Sequence, residues 1–303
     1  MKKEACYKAL KDAYFNDTYQ NSSNTFFREW IAHKYKHSLE VVKVGLELIK
    51  REKVLRDLPT TIQRDFEIAL LFHDLARAVE VSPKTGKFLR IHHAIEGARQ
   101  AVALGETSPN VILPVLIHSS INEDLLNIQD EKTLQKLPDF KCLSLKDKNF
   151  LLEWRKIFHA LTEDQRNIVR LGIALVKDAD KLANLENLPW IIYANNRKVS
   201  PVISKRVLYS LLSGELVNSK HVKTLADDLQ QCMALVNDLR FSSSIKWIKE
   251  KKILENICRT LFEFFFDIDP LRKEKLKRIA NRAVRKVEEI MEHRLNNYYR
   301  SQP

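Results

Sequence analysis

Six side chains in this chain could do chemistry together: His37, His73, Asp74, His93, His118 and Asp180. Neutral imidazole nitrogens and carboxylate oxygens are the donors that first-row divalent ions prefer, so this set reads as the ligands of a buried metal centre. The chain has nine histidines, and four of the first seven fall into one ordered pattern of H, HD, H, H and D. The phrase IALLFHDLAR sets an imidazole and a carboxylate directly after a strongly apolar run. Burying both without partners would cost several kcal/mol, and metal coordination is one way to satisfy them. A divalent ion in such a site lowers the pKa of bound water and neutralises charge on a phosphoryl group, which is hydrolytic chemistry.

Helices must position these residues. Only six glycines occur in 303 residues, and Leu, Lys, Glu, Ala and Ile dominate, so an all-α fold is expected. Ile31, Tyr35, Leu39, Val42, Leu46 and Ile49 recur at helical spacing in a predicted helix from Thr25 to Lys53. Further helices are predicted near 2–16, 61–80, 91–105, 109–121 and 146–189, with a polar connection at 122–145. Pro189 and the NN of YANNRKVSP mark a boundary near 190–201. Beyond it the pattern predicts helices near 202–213, 219–239 and 244–266, and a last one from Pro270 to about 297. Each candidate ligand then comes from a different helix, apart from the adjacent His73 and Asp74, and metal sites in helical proteins are built in this way.

Composition narrows the class further. The four cysteines are scattered without a C-x-x-C pair, so a zinc finger or disulfide framework is not expected. No stretch approaches the 18 uncharged apolar residues of a membrane span, and the charged start MKKEACYKALKDAYFND is unlike a secretory signal. A cytoplasmic protein with no membrane partner is therefore expected. Basic side chains exceed acidic ones by 12, unevenly: residues 1–190 carry 29 against 26, and residues 191–303 carry 22 against 13. Residues 272–286 hold eight Lys or Arg against one Glu, on an amphipathic pattern of Leu276, Ile279, Ala283, Val287 and Ile290. This extension could pack on a core, mediate self-association into a homo-oligomer, or dock nucleic acid or an acidic partner.

The ordered elements KHSLEVV around His37, FHDLAR at 72–77, HHAIEGA at 92–98, VLIHSS at 115–120 and DADKLANL at 178–185 resemble the HD-domain superfamily of metal-dependent phosphohydrolases. The spacings agree with it: 36 positions from His37 to His73, 19 from Asp74 to His93, 25 more to His118 and 62 more to Asp180. The likeness spans about residues 25–190 and implies two parts: an HD-type helical bundle over 1–190 and a basic helical extension over 191–303.

Carried over residue by residue, the resemblance implies that His37, His73, Asp74 and Asp180 hold a first metal. It makes His93 and His118 the ligands of a second, with Asp74 as bridge and with Asp74 and His73 at the catalytic centre. His93 is preferred to His92 because it stands four residues before Gly97-Ala98. Asp180 is preferred to Asp178 because ADKLANL is similar to a segment of the family's alarmone hydrolases. Arg77, Lys181 and Arg90 stand near these ligands in sequence and are candidate clamps for a substrate phosphate, although each could equally be a solvated charge.

The implied activity is hydrolysis of a nucleotide or related phosphate ester, as a phosphomonoesterase or phosphodiesterase, by attack of metal-bound hydroxide. One or two divalent ions are implied, with Mn, Fe, Mg, Ni, Co and Zn all compatible. Two other readings stay open: an HD-type diiron oxygenase, and a nucleic-acid- or partner-binding protein that uses its basic C-terminal helix.

Overall fold

The computed structural model describes residues 3–89, 91–118, 126, 128, 130–187, 198–265, 267 and 269–300. Among them the secondary structure is helical, with two isolated β-bridges and no strand. The chain divides into two compact units, residues 1–179 and 180–303. The expected boundary near 190 lies outside the described residues, since 188–197 are not among them. No helix among those described is long and apolar enough to cross a membrane.

The first unit holds α1 (Lys3–Tyr14), α2 (Thr25–Arg51), α3 (Thr60–Phe72), α4 (His93–Ala103), α5 (Pro109–Ile117), α6 (Leu145–Ala160) and the start of α7 (Glu163–Glu186). Asn24 caps α2 by accepting from the Phe27 amide at 2.8 Å. The buried face of α2 repeats every three or four residues through Phe27, Ile31, Lys34, His37, Val41, Gly45 and Leu48. Lys34 and His37 therefore stand where the stripe demands apolar side chains.

Two of the predicted helices that begin in this unit are broken, each for a local reason. The stretch 61–80 forms α3, then a non-helical Asp74 at φ −108°, then a 3-10 turn over Leu75–Val79. The His73 ring nitrogen Nδ1 bonds the Leu70 carbonyl at 2.7 Å, and the Tyr14 hydroxyl donates to the Asp74 carbonyl at 2.6 Å. Carbonyls that would serve a continuing helix are thus engaged by side chains. The stretch 146–189 forms α6 and α7, because Thr162 and Gln165 make a reciprocal box. The Thr162 hydroxyl accepts from the Gln165 amide at 3.3 Å, while the Gln165 side chain accepts from the Thr162 amide at 2.9 Å.

Two close approaches set how the helices of this unit meet. A Cβ on Gly45 of α2 would stand 2.3 Å from Leu70 Cδ1 of α3. A Cβ on Gly172 of α7 would stand 2.7 Å from Phe66 Cε1 of α3 and 3.0 Å from Pro114 Cγ of α5. Glycine lets α2 and α7 lie closer to α3 than any side chain would permit.

The second unit holds α8 (Lys205–Leu212), α9 (Leu225–Ala234), α10 (Ser242–Glu250), α11 (Ile253–Phe264) and α12 (Pro270–Arg300). A capping box between Thr224 and Asp227 starts α9. The predicted helix 244–266 is split by Lys252, which takes a left-handed backbone at φ 50° and redirects the chain into α11.

Because Leu70 is fully buried, Gly45→Ala should force it off its rotamer. The expected loss is about 1–3 kcal/mol of stability, read as a lower urea midpoint with an unchanged slope.

Candidate metal centre

His37 comes from the middle of α2, His73 and Asp74 from the end of α3, His93 from the start of α4, His118 from the end of α5 and Asp180 from α7. The structure brings all six together in two groups. His37, His73 and Asp180 form one, and Asp74, His93 and His118 the other. Within each group the donor atoms lie within 4.8 Å of one another, a spacing that could hold a metal ion. Neither His92 nor Asp178 belongs to these groups. The division into units falls within α7, one residue before Asp180, and that helix runs unbroken from Glu163 to Glu186. Asp180 follows two turns after Gly172 on this same helix, and its Oδ1 accepts from Asn184 at 2.9 Å.

The Asp74 carboxylate stands between the groups, one oxygen toward each. Its Oδ2 lies 3.6 Å from His73 Nε2 and 3.9 Å from His37 Nε2. Its Oδ1 lies 3.7 Å from His118 Nε2 and 3.9 Å from His93 Nε2. Such separations are too long for hydrogen bonds. Two ligands each about 2.1 Å from one ion stand between about 3.0 Å apart when cis and about 4.2 Å when trans, a range that brackets them.

Three of the imidazoles are held in one tautomer. His73 Nδ1 bonds the Leu70 carbonyl and His118 Nδ1 the Val115 carbonyl, both at 2.7 Å. A carbonyl only accepts, so Nδ1 carries the proton and Nε2 keeps its lone pair. Each ring reaches back three residues to the last turn of its own helix, so the same arrangement occurs at the ends of α3 and α5. His93 Nδ1 faces Glu80 Oε1 at 3.3 Å, which likewise leaves Nε2 as donor to an ion. The Nε2 atoms of His93 and His118 are buried and meet no hydrogen-bond partner. Bare, buried lone pairs converging on a carboxylate fit a divalent cation in charge and in donor type.

The protonation states suit the same role. Burial and the neighbouring Arg77 push the His93 pKa down to about 4, so its ring is neutral at neutral pH. Burial opposes ionisation of Asp74, but Arg77 and Lys34, with His73, outweigh it and hold the carboxyl well below the usual range. Glu80 is likewise opposed by burial, yet His93 and Arg77 lower its pKa.

Lys34 and Glu80 were not among the residues singled out from sequence. Lys34 Nζ lies 3.3 Å from Asp74 Oδ2 and 5.3 Å above the Trp30 ring. Its signal was its place three residues before His37, on the same buried stripe. Glu80 was legible only as the i+3 partner of Arg77.

Arg77 itself donates through Nε to Asp74 Oδ1 at 2.9 Å and through Nη1 to Glu80 at 2.7 Å, so it braces two carboxylates. Lys181 is bonded to the Asp238 carboxylate, and to its carbonyl at 3.2 Å. Arg90 lies outside the described residues.

No protein-family model, curated protein or solved structure matches this chain.

In the metal-free protein the folded pKa of His93, about 4, lies below its ordinary 6.5. The unfolded chain takes up that proton first as pH falls, so stability should decline between pH 6.5 and 4, by on the order of 3 kcal/mol. The depressed Asp74 and Glu80 carboxyls act lower. Their stabilisation is complete above the ordinary carboxylate pKa and is lost as pH falls through the folded values. Urea unfolding of chelator-treated wild type and His93→Gln at pH 7, 5.5 and 4.5 measures the first effect. The variant should lose less stability across this window, and equal losses would exclude His93 as the source.

Proposed function

We propose that this protein is a divalent-metal-dependent phosphohydrolase acting on a nucleotide or related phosphate ester. The observation that carries the reading is the placement of Asp74, with one carboxylate oxygen toward His37 and His73 and the other toward His93 and His118. Such an arrangement suits a carboxylate shared by two ion positions, which is also what the resemblance to HD-domain phosphohydrolases implies. Ions bound there would supply Lewis acidity, a lowered water pKa and neutralisation of phosphoryl charge.

The residues of the chain divide that work. His37, His73 and Asp180 would hold one position, His93 and His118 the other, and Asp74 both. The Leu70 and Val115 carbonyls and Glu80 keep the donor nitrogens aimed inward. Arg77 and Lys34 keep Asp74 ionised. The three carboxylates of Asp74, Glu80 and Asp180 stand against the two cations Lys34 and Arg77. Carboxylates gathered in this way favour a divalent cation, whose charge would in turn attract an anionic substrate. The cysteines Cys6, Cys142, Cys232 and Cys258 are all free, which fits a reducing compartment, and we assign the protein to the cytoplasm.

Metal analysis followed by phosphate release from a nucleotide panel tests this reading. Wild type should hold one or two divalent ions per chain and cleave a phosphate ester with Mn²⁺. The double substitution His73→Ala with Asp74→Ala should lose both metal and activity while keeping its helical circular dichroism. Full activity in that metal-free variant would refute the reading. Oxygen consumption by an iron-loaded sample that cleaves no phosphate ester would favour the diiron oxygenase alternative instead.

A further inference from the structure

The second unit carries a cationic cleft that the metal chemistry does not use. On α12 the residues Leu276, Ala280, Ala283, Val287 and Met291 are buried at spacings of three and four, which fixes the inward face of the helix. Arg272, Lys275, Arg278, Arg282 and Arg285 are exposed and recur at similar spacings on another face. Part of this row lines a cleft of about 640 Å³, whose walls are Arg278, Asn281, Arg282, Arg285, Lys286 and Glu289 of α12 and Leu212 of α8.

Charge in that cleft is unbalanced. Arg278 shares the exposed Glu274 at 3.4 Å, and Lys286 faces Glu289 at 3.2 Å. Arg282 and Arg285 have no carboxylate partner among the described residues. Four cations thus converge beside a single lining carboxylate, and their mutual repulsion is relieved by a bound anion. Arg278, Arg282 and Arg285 step along the helix by about 6 Å and then about 4.5 Å, and the basic run from Arg272 to Lys286 covers about 21 Å. A single phosphate cannot engage such a row, whereas a chain of phosphates can. Arginine forks also match phosphate oxygens in pairs.

The helix that supplies the other wall, α8, also carries an exposed aromatic ring one turn before the lining Leu212. Lys205, Tyr209 and Leu212 lie four and three residues apart on α8 and so share a face. Leu212 lines the cleft, Lys205 is exposed, and Tyr209 is 69% exposed one turn away. A solvent-exposed aromatic one turn from a cleft lined by arginines is a combination that can hold unpaired bases together with their backbone. Neither an acidic peptide nor inorganic polyphosphate has a use for the ring, and a duplex hides its base faces.

We propose that the cleft between α8 and α12 binds single-stranded nucleic acid, with Arg278, Arg282 and Arg285 on consecutive phosphates and Tyr209 stacked on a base. The site is independent of the metal centre and can be tested with chelator present.

Fluorescence anisotropy of a labelled 20-nucleotide oligoadenylate with the full chain, over a salt series in EDTA, gives the readout. Wild type should bind with log K falling against log salt at a slope of roughly −2 to −3, about 0.7 for each phosphate engaged. Arg282→Glu with Arg285→Glu should weaken binding at least thirtyfold and flatten the slope by about 1.4. Tyr209→Ala should weaken binding at least fivefold and leave the slope unchanged, a pattern that non-specific charge attraction does not produce. All three substituted residues are exposed, so circular dichroism should be unaltered. Absence of binding at 50 mM salt would overturn the proposal, as would binding indifferent to the arginine variant. Equal competition by polyglutamate or inorganic polyphosphate, with Tyr209→Ala silent, would also overturn it in favour of a generic polyanion surface.

Discussion

A carboxylate with one per cent of its surface exposed must be matched by positive charge or by hydrogen bonds, and Asp74 is that carboxylate. Much of the first unit is arranged around this requirement. Lys34 reaches it from α2, Arg77 from the 3-10 turn that follows, and four imidazoles turn their Nε2 atoms toward it from α2, α3, α4 and α5. Tyr14 of α1 fixes its backbone through the carbonyl. Two cations approach its charge, while the imidazole nitrogens stand too far off to hydrogen-bond it.

The same requirement explains why α3 ends where it does. A helix continued through residue 80 would set His73 and Asp74 about 100° apart on its surface and keep their carbonyls in the ladder. Ending it at Phe72 lets the His73 ring take the Leu70 carbonyl and frees Asp74 to swing between the two histidine pairs. At His118 the ring takes the Val115 carbonyl in the same way, so at both helix ends the last turn orients the imidazole. Glu80 does this for His93 by a different route, with Arg77 bridging Glu80 and Asp74 into one ion-paired network. Gly45 and Gly172 matter for the same centre. They draw α2 and α7 onto α3, and those two helices bring in His37 and Asp180.

The second unit is built on a different balance. Its helices meet through an apolar face of α12, while the remaining faces of that helix carry cations with few acidic partners. Sequence pattern revealed the amphipathic basic helix but not which aromatic side chain from elsewhere in the chain comes near it. Tyr209, about 70 positions earlier in the chain, stands one turn from Leu212 of the cleft, and only the approach of α8 to α12 brings that helix to the basic row.

The all-helical fold class, and the six side chains that converge in two groups, were legible from the order of residue types alone. Scarce glycine and helical periodicity specify helices because they are local properties, summed along a few turns. Histidines and an aspartate at apolar-face positions point to a shared partner because burial of unmatched polar groups is costly wherever they end up. Helix interruptions were less legible. The Thr162–Gln165 box is carried by its residue types, whereas the left-handed Lys252 carries no residue-type signal. The Leu70 and Val115 carbonyls that hold His73 and His118 are local to their own helices, whereas Lys34 and Glu80 become contacts of the cluster only when separate elements converge. Sequence by itself determined which atoms are available to bind. Packing decided which oxygen of Asp74 faces which pair of histidines, because that depends on distances between elements that no local pattern encodes.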